Sequence, residues 1–421
     1  MSANGIMPTV GRPAPVGRPR RSVAGIVRTL AVTLAVILGA VLLAACGSAP
    51  PPDADGEATV TRVSEALGGT DTGGYNRADT PREFAFPRDH GPHEGFRNEW
   101  WYLTGNLDDA EGGRYGFHIT FFRVALAPAF SGDPAALQSQ WAARHVWMGH
   151  TAVTDVRRGR HVSDERFARE AVGLAGATDP AGSVWLEDWR LSGLDAERWQ
   201  IDFDSGPYLL ALELTPLRDP VLQGDAGLSQ KGREQGNASY YYSVPRIAVQ
   251  GVVEDERGPR EVTGQAWLDR EWSTSALDEN QVGWDWFALQ LDDGTDIMYY
   301  QLRQHDGTPD PLSKGRWMPA DGEDRLLRPD AVRLTPTRFA RVATGNRYPV
   351  AWRLAIPAED VELAEDVELV VEAVLDDQEM QSFIRYWEGA VDVRTPDGRK
   401  IGRGFVELTG YDEERSLTAG R

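Results

Sequence analysis

The chain has 421 residues, a net charge of −20 and a single cysteine, Cys46. So acidic a protein repels phosphate backbones, which excludes nucleic-acid binding. One cysteine leaves no disulfide, redox or thiolate-metal chemistry to the folded body.

Residues 1–45 carry five arginines and no acid, and end in the apolar run Leu30–Ala45. A basic region before an apolar one predicts a secretory signal peptide. The run is shorter than the roughly 20 residues of a membrane-spanning helix. Leu43-Ala44-Ala45-Cys46 resembles a bacterial lipobox. That resemblance implies cleavage before Cys46, diacylation of its thiol, and a protein anchored to a membrane of the bacterial envelope, facing outside the cytoplasm. Cleavage removes five positive charges and takes the net charge from −20 to −25. Residues 46–79, rich in Pro, Gly, Asp, Thr and Ser, read as a flexible linker.

From residue 80 the pattern is globular and all-β. The stretch Arg97–Arg123 holds two aromatic, branched runs around the break Asp108-Asp109-Ala110-Glu111-Gly112-Gly113, which predicts a β-hairpin. A related pattern recurs from Trp284 to Arg303 around Leu291-Asp292-Asp293-Gly294. Between and beyond lie short strand-like runs, among them Val146–Val153, Val184–Leu191, Tyr208–Leu214, Arg246–Val253 and Arg347–Ile356. Only Glu165–Ala171 reads as a short helix. A second echo places Ala266, Trp267, Leu268 and Asp269 on Gly404, Phe405, Val406 and Glu407. The expectation is a duplicated β unit, barrel or sandwich, with domains at 80–275 and 276–421 meeting in the polar segment 273–280.

Polar and aromatic residues concentrate in Asn98-Glu99-Trp100-Trp101-Tyr102, in residues 222–243, and in Gly264–Trp272 with Trp284 and Trp286 beyond. Strand alternation puts Trp267, Asp269 and Glu271 on one face. A carboxyl group among indoles loses water, which disfavours its charge and makes Asp269 or Glu271 a candidate general acid. The competing reading is structural: Arg270, Arg123 or Arg303 would neutralise these carboxylates. Ser229 is not in a nucleophile elbow, and His90-Gly91-Pro92-His93-Glu94 matches no metal-site spacing, so no metal is expected.

The motifs FRNEWWYLTGNL, GFHITFFR, VWLEDW, PVLQGDAGLSQKG, NASYYYS, GQAWLDREWS and GWDWFALQLDDG, spread over about 84–415, resemble the AttH/CrtC family of secreted AttH-like proteins and carotenoid 1,2-hydratases. The resemblance implies two tandem lipocalin-like (calycin) β-barrels. It also implies a cofactor-free acid that protonates an isoprenoid double bond before water adds. The hydratase motif falls on Tyr240-x-Tyr242 and, 27 residues on, Trp267-x-Asp269. The histidine position is held by Tyr240, which has no imidazole to take a proton near neutrality. The candidate catalytic set is therefore Asp269, Tyr242, Tyr240 and Trp267. The candidate ligand-binding set is Glu99, Trp100, Tyr102, Glu271, Trp272, Trp284 and Trp286. The expected partners are an apolar or isoprenoid-like small molecule, the membrane through Cys46, and an ABC-type envelope transporter. A non-catalytic lipid carrier and a secreted hydrolase are the alternatives.

Overall fold

The computed structural model describes residues 73–128, 143–274 and 277–411; Cys46, the signal region and most of the linker lie outside them. The described chain is all-β, in two antiparallel sheets within one compact unit.

The first sheet begins with β1 (Asn98–Asp109), β2 (Arg114–Ala125), β3 (His145–Asp155), β4 (Arg160–Arg169), β5 (Ala175–Ala177), β6 (Ser183–Leu186) and β7 (Trp189–Ser192). It continues with β8 (Trp199–Ser205), β9 (Tyr208–Pro216), β10 (Val221–Leu222), β11 (Leu228–Gln230), β12 (Ala238–Asp255) and β13 (Gly258–Ser273). The second sheet holds β14 (Gln281–Leu291), β15 (Asp296–Gln304), β16 (Lys314–Met318), β17 (Arg325–Leu327) and β18 (Arg333–Arg341). It ends with β19 (Arg347–Ile356), β20 (Val367–Ala373), β21 (Glu379–Met380), β22 (Tyr386–Arg394) and β23 (Lys400–Thr409).

The order in the first sheet is β4-β3-β2-β1-β13-β12-β9-β8-β7-β6-β5, with β10 and β11 on β12. In the second it is β17-β16-β15-β14-β23-β22-β20-β19-β18, with β21 on β22. One sheet curls into a nearly closed barrel and the other into a half-barrel, an arrangement consistent with tandem barrels. Both expected hairpins form: β1 turns into β2 through Gly112 (φ 78°), and β14 into β15 through Gly294 (φ 90°). Glycine adopts these positive φ values without the Cβ clash that other residues meet.

Two local expectations are corrected. Residues 165–169 belong to strand β4, paired with β3 from Val146↔Arg169 to Asp155↔Arg160; only Ala171–Gly173 is helical, as a 3-10 turn. Charges at an edge strand obscure period-2 alternation, and pairing overrides local propensity. Val184–Leu191 is two strands, because Glu187 takes a left-handed conformation (φ 58°) and folds β6 back on β7.

The central strands are buried on both faces. In β1, Trp101 and Leu103 point into the first barrel, packed with Tyr240, Tyr242, Leu268 and Trp272. Phe287, Leu289, Trp387 and Val406 fill the second barrel. The alternate residues Tyr102, Tyr241, Trp267, Trp286, Tyr300 and Phe405 form a third cluster between the barrels. The approach is close: a Cβ on Gly116 would lie 2.7 Å from the Cβ of Ala390.

Candidate functional site

A cavity lies between the barrels, and its chemistry follows from strand register. Across the first sheet, Ser243 of β12 pairs with Asp269 of β13, Asp269 with Tyr102, Tyr102 with Thr120, Thr120 with His150, and His150 with Glu165. Residues directly opposite on neighbouring strands share a face, so these six form one lateral row. The second sheet presents its own row, Lys314–Tyr300–Trp286–Glu407–Glu388. The rows meet where Tyr102 donates to Glu388 Oε1 at 2.7 Å and stacks edge-on against Trp286, centroids 5.0 Å apart.

Between them is a cavity of about 130 Å³. Its walls include Trp100, Tyr102, Phe122, Trp284, Trp286 and Tyr300, and its polar groups include Asp269, Glu271, Lys231, Tyr241, His150, Tyr386 and Glu407.

Asp269 is the most elaborated group. Tyr241 donates to its Oδ2 at 2.5 Å, while Ser243 and Trp267 Nε1 donate to Oδ1 at 2.5 and 2.7 Å. Trp286 Nε1 in turn donates to the Tyr241 oxygen at 3.1 Å. Burial raises the Asp269 carboxyl, the three donors pull it back, and Glu271 adds to the rise; the balance stands at about 7. Among the described residues no guanidinium or ammonium group stands in ion-pair range of Asp269.

The other carboxyl groups are handled differently. Glu271 is matched by Lys231 Nζ at 3.1 Å, and that ammonium lies 4.1 Å over the ring of Tyr300. Burial works against the Lys231 charge, but Glu271 and Tyr300 outweigh it and raise its pKa. Glu407 accepts from Trp284 Nε1 at 2.9 Å; burial, reinforced by Asp269 and Glu271, pushes it up to about 8. Burial and the charge of Glu407 hold Glu388 well above the ordinary range. Asp269 and Glu407 stand at equivalent positions of the duplicated unit, and Glu388 adds a second weakly acidic carboxyl group from the second barrel.

The proposed site residues divide by face. Asp269, Glu271, Trp100, Tyr102, Trp284 and Trp286 line the cavity, and Trp267 adjoins it through Asp269. Tyr240, Tyr242, Trp272 and Glu99 do not; they point into the first barrel. Tyr240 donates to the Thr80 carbonyl at 2.7 Å, and the Tyr242 oxygen lies 2.6 Å from His90 Nδ1. Trp272 stacks on His93, centroids 3.6 Å apart. Glu99 is enclosed by Arg270 at 2.7 Å, Arg123 at 3.0 Å and His93 at 2.7 Å. Burial would raise its pKa, yet these arginines hold it far below the usual carboxylate range. The neutralising arginines of the structural reading thus serve Glu99, and Arg303 serves Asp285 at 3.2 Å, rather than Asp269.

The physical cause is the pairing of β12 with β13. Tyr241 and Ser243 lie opposite Glu271 and Asp269, so Tyr240 and Tyr242 face the other way. Tyr241 and Ser243 lie in the polar-aromatic stretch 222–243 and His150 is one of the imidazoles near the key segments, but nothing in the sequence marks them, Tyr300 or Tyr386 as residues of the site. The echo that set Glu407 on Asp269 was the one signal that pointed at the second carboxyl group.

The profile of the AttH-like family matches residues 77–411. The chain belongs to that family. No curated protein sequence matches it. Among solved structures, this AttH-like chain is similar to a protein assigned as AttH from Nitrosomonas europaea, with 38% identity, TM-score 0.68, and coverage of 79% of this chain and 99% of that one. It also shares its fold with kievitone hydratase from Nectria haematococca at 14% identity and TM-score 0.58, covering 80% of this chain and 95% of that one. CghA shares the fold at 12% identity and TM-score 0.50, covering 82% of this chain and 97% of that one. These last two similarities concern the fold alone.

Proposed function

We propose that this AttH-like protein is a cofactor-free hydratase that adds water across a double bond of an apolar, isoprenoid-like small molecule. One observation carries the reading. Asp269 is a buried carboxyl group with no counter-ion among the described residues, set in an aromatic cavity with room for a ligand. With a pKa of about 7 it holds a transferable proton near neutral pH, where a solvated aspartate would not.

In the reaction Asp269 gives its proton to one alkene carbon, and a water molecule attacks the cation left on the other. The faces of Trp100, Trp284, Trp286 and Tyr300 stabilise that cation by cation–π attraction. Lys231 does not oppose it with a bare charge, because Glu271 neutralises it. A cavity of about 130 Å³ suits the reacting end of a ligand, since a dry cavity of about 150 Å³ accommodates benzene. The kievitone hydratase fold similarity supports the reading only as analogy.

The test is incubation with prenylated phenols and open-chain isoprenoids in ¹⁸O-labelled water. Expected is a product heavier by one labelled water with the wild type and none with Asp269→Asn. Tight retention of a ligand by both proteins without product would instead favour a carrier. Neither retention nor product would sink both readings.

The lipobox-like Leu43-Ala44-Ala45-Cys46 supports placement of the protein on an envelope membrane through a lipidated Cys46. Mass spectrometry of the mature N-terminus checks it, and an unmodified N-terminal peptide lacking acyl groups would refute it.

A further inference from the structure

We propose that Glu165, His150 and Tyr386 form a proton relay that takes the proton released when water attacks and delivers it to solvent, an inference that rests on the hydration reading. The three groups are joined in line and come from both barrels. Tyr386 of β22 and His150 of β3 both line the cavity. The Tyr386 oxygen is 2.8 Å from His150 Nδ1, and His150 Nε2 is 2.9 Å from Glu165 Oε1. His150 and Tyr386 are buried, whereas the Glu165 side chain retains 18% exposure. The chain therefore begins at the cavity wall and ends at the surface.

The direction of the hydrogen bonds follows from the donors available. Glu165 also accepts the Phe383 amide at 3.1 Å, so it acts as an acceptor and draws the imidazole proton to Nε2. In the neutral ring Nδ1 is then the acceptor and Tyr386 the donor. That polarity allows three coupled transfers. Attacking water passes a proton to the Tyr386 oxygen, the Tyr386 hydroxyl proton goes to Nδ1, and the Nε2 proton goes to Glu165. The proton leaving at Glu165 balances the one Asp269 takes back from solvent after protonating the alkene, so the net reaction is addition of one water.

Register keeps the two ends of the chemistry apart. Asp269 and His150 lie in the same lateral row but three strand intervals distant. At about 4.8 Å per interval this is roughly 14 Å between backbones. Tyr386, from the second sheet, lines the same cavity as Asp269 and carries the relay from His150 into it. Tyr386 and His150 pass on the proton of the reacting water and are catalytic; Glu165 both orients the ring and receives that proton last.

The experiment combines kinetics with nitrogen NMR of the full-length chain labelled at histidine. Expected are an Nε2–H tautomer for His150 in the wild type and its loss in Glu165→Gln. Turnover number should fall at least about tenfold in Glu165→Gln and in Tyr386→Phe, with KM within about twofold and the double variant no worse than either single one. An Nδ1–H tautomer in the wild type overturns the relay, whether or not a substrate is turned over. So does full turnover in both variants while Asp269→Asn is dead, a result that leaves the hydratase reading standing. A wild type inert to the whole substrate panel counts against the hydratase reading alone, and the tautomer then decides the arrangement of the relay.

Discussion

Asn106 of β1 donates its side-chain amide to the Gly404 carbonyl of β23 at 3.1 Å, tying the first barrel to the second. The duplicate position answers it. Gln290 of β14 donates to the Ala266 carbonyl of β13 at 3.0 Å and to that of Pro245 at 2.8 Å. The Asn106–Gly404 and Gln290–Ala266 bonds relate the barrels by an approximate two-fold. Removing a buried donor leaves its acceptor carbonyl without that partner, at a cost of about 1–3 kcal/mol. Asn106→Ala and Gln290→Ala should therefore lower the urea midpoint, Gln290→Ala more because two carbonyls lose a donor. Unchanged midpoints would mean that these two amides add nothing to the hold between the barrels, which contacts such as Tyr102–Glu388 then carry.

Stability should fall as pH rises through neutrality. Asp269 and Glu407 have folded pKa values of about 7 and about 8, above their values in the unfolded chain. The stabilisation linked to such groups is complete below about pH 4 and is lost as pH rises through the folded values. Within that window each contributes a slope of about 1.4 kcal/mol per pH unit. Glu99 and Asp255, held low by neighbouring arginines against their burial, act only at more acid pH and leave the window untouched. Burial lowers the pKa values of His90, His118 and His161, which opposes the decline below about pH 6.5. Denaturation measured from about pH 6.5 to 8 should therefore show it, and Asp269→Asn or Glu407→Gln should flatten it. A flat wild-type curve would contradict the assignment.

Substitutions at two buried carboxylates should separate folding from chemistry. Glu99→Gln leaves Arg270 and Arg123 buried without their counter-charge, which costs about 3–5 kcal/mol. Asp269→Asn strands no partner cation and keeps a group of the same shape, so stability at pH 7 should change little while turnover is lost. Thermal melts set beside the activity assay check both. Equal destabilisation by the two variants would remove the distinction drawn between the faces of β13.

Tyr241→Phe should move the alkaline limb of the pH–rate profile upward. The Tyr241 hydroxyl bond lowers the Asp269 pKa, so its loss leaves Asp269 protonated to higher pH. A limb that stays near pH 7, or moves down, would show that another group donates the proton.

Much of this was readable before any fold was in hand. The Asp- and Gly-rich breaks announced both hairpins, the echo of Trp267-x-Asp269 in Phe405-x-Glu407 announced the duplication, and alternation put Asp269 and Glu271 together. The same alternation could not say which face of β13 meets the other barrel. Both faces of the central strands are buried, so apolar and polar residues mark Glu99 and Tyr242 as strongly as Trp100 and Tyr241. Glu165 was hidden in a charged edge strand that reads locally as helix, and with it the outer end of the row through His150.

The sequence by itself determined the all-β class, the doubled unit, its family and the supply of aromatic and acidic side chains, because these rest on local pattern and repetition. Only the tertiary structure decided which carboxyl groups keep a counter-ion. Glu99 turns inward to two arginines, and Asp269 turns outward to a cavity completed by residues more than a hundred positions away, such as Glu407. Desolvation without compensating charge is a property of that non-local assembly, and it separates an acid held for structure from one poised for chemistry.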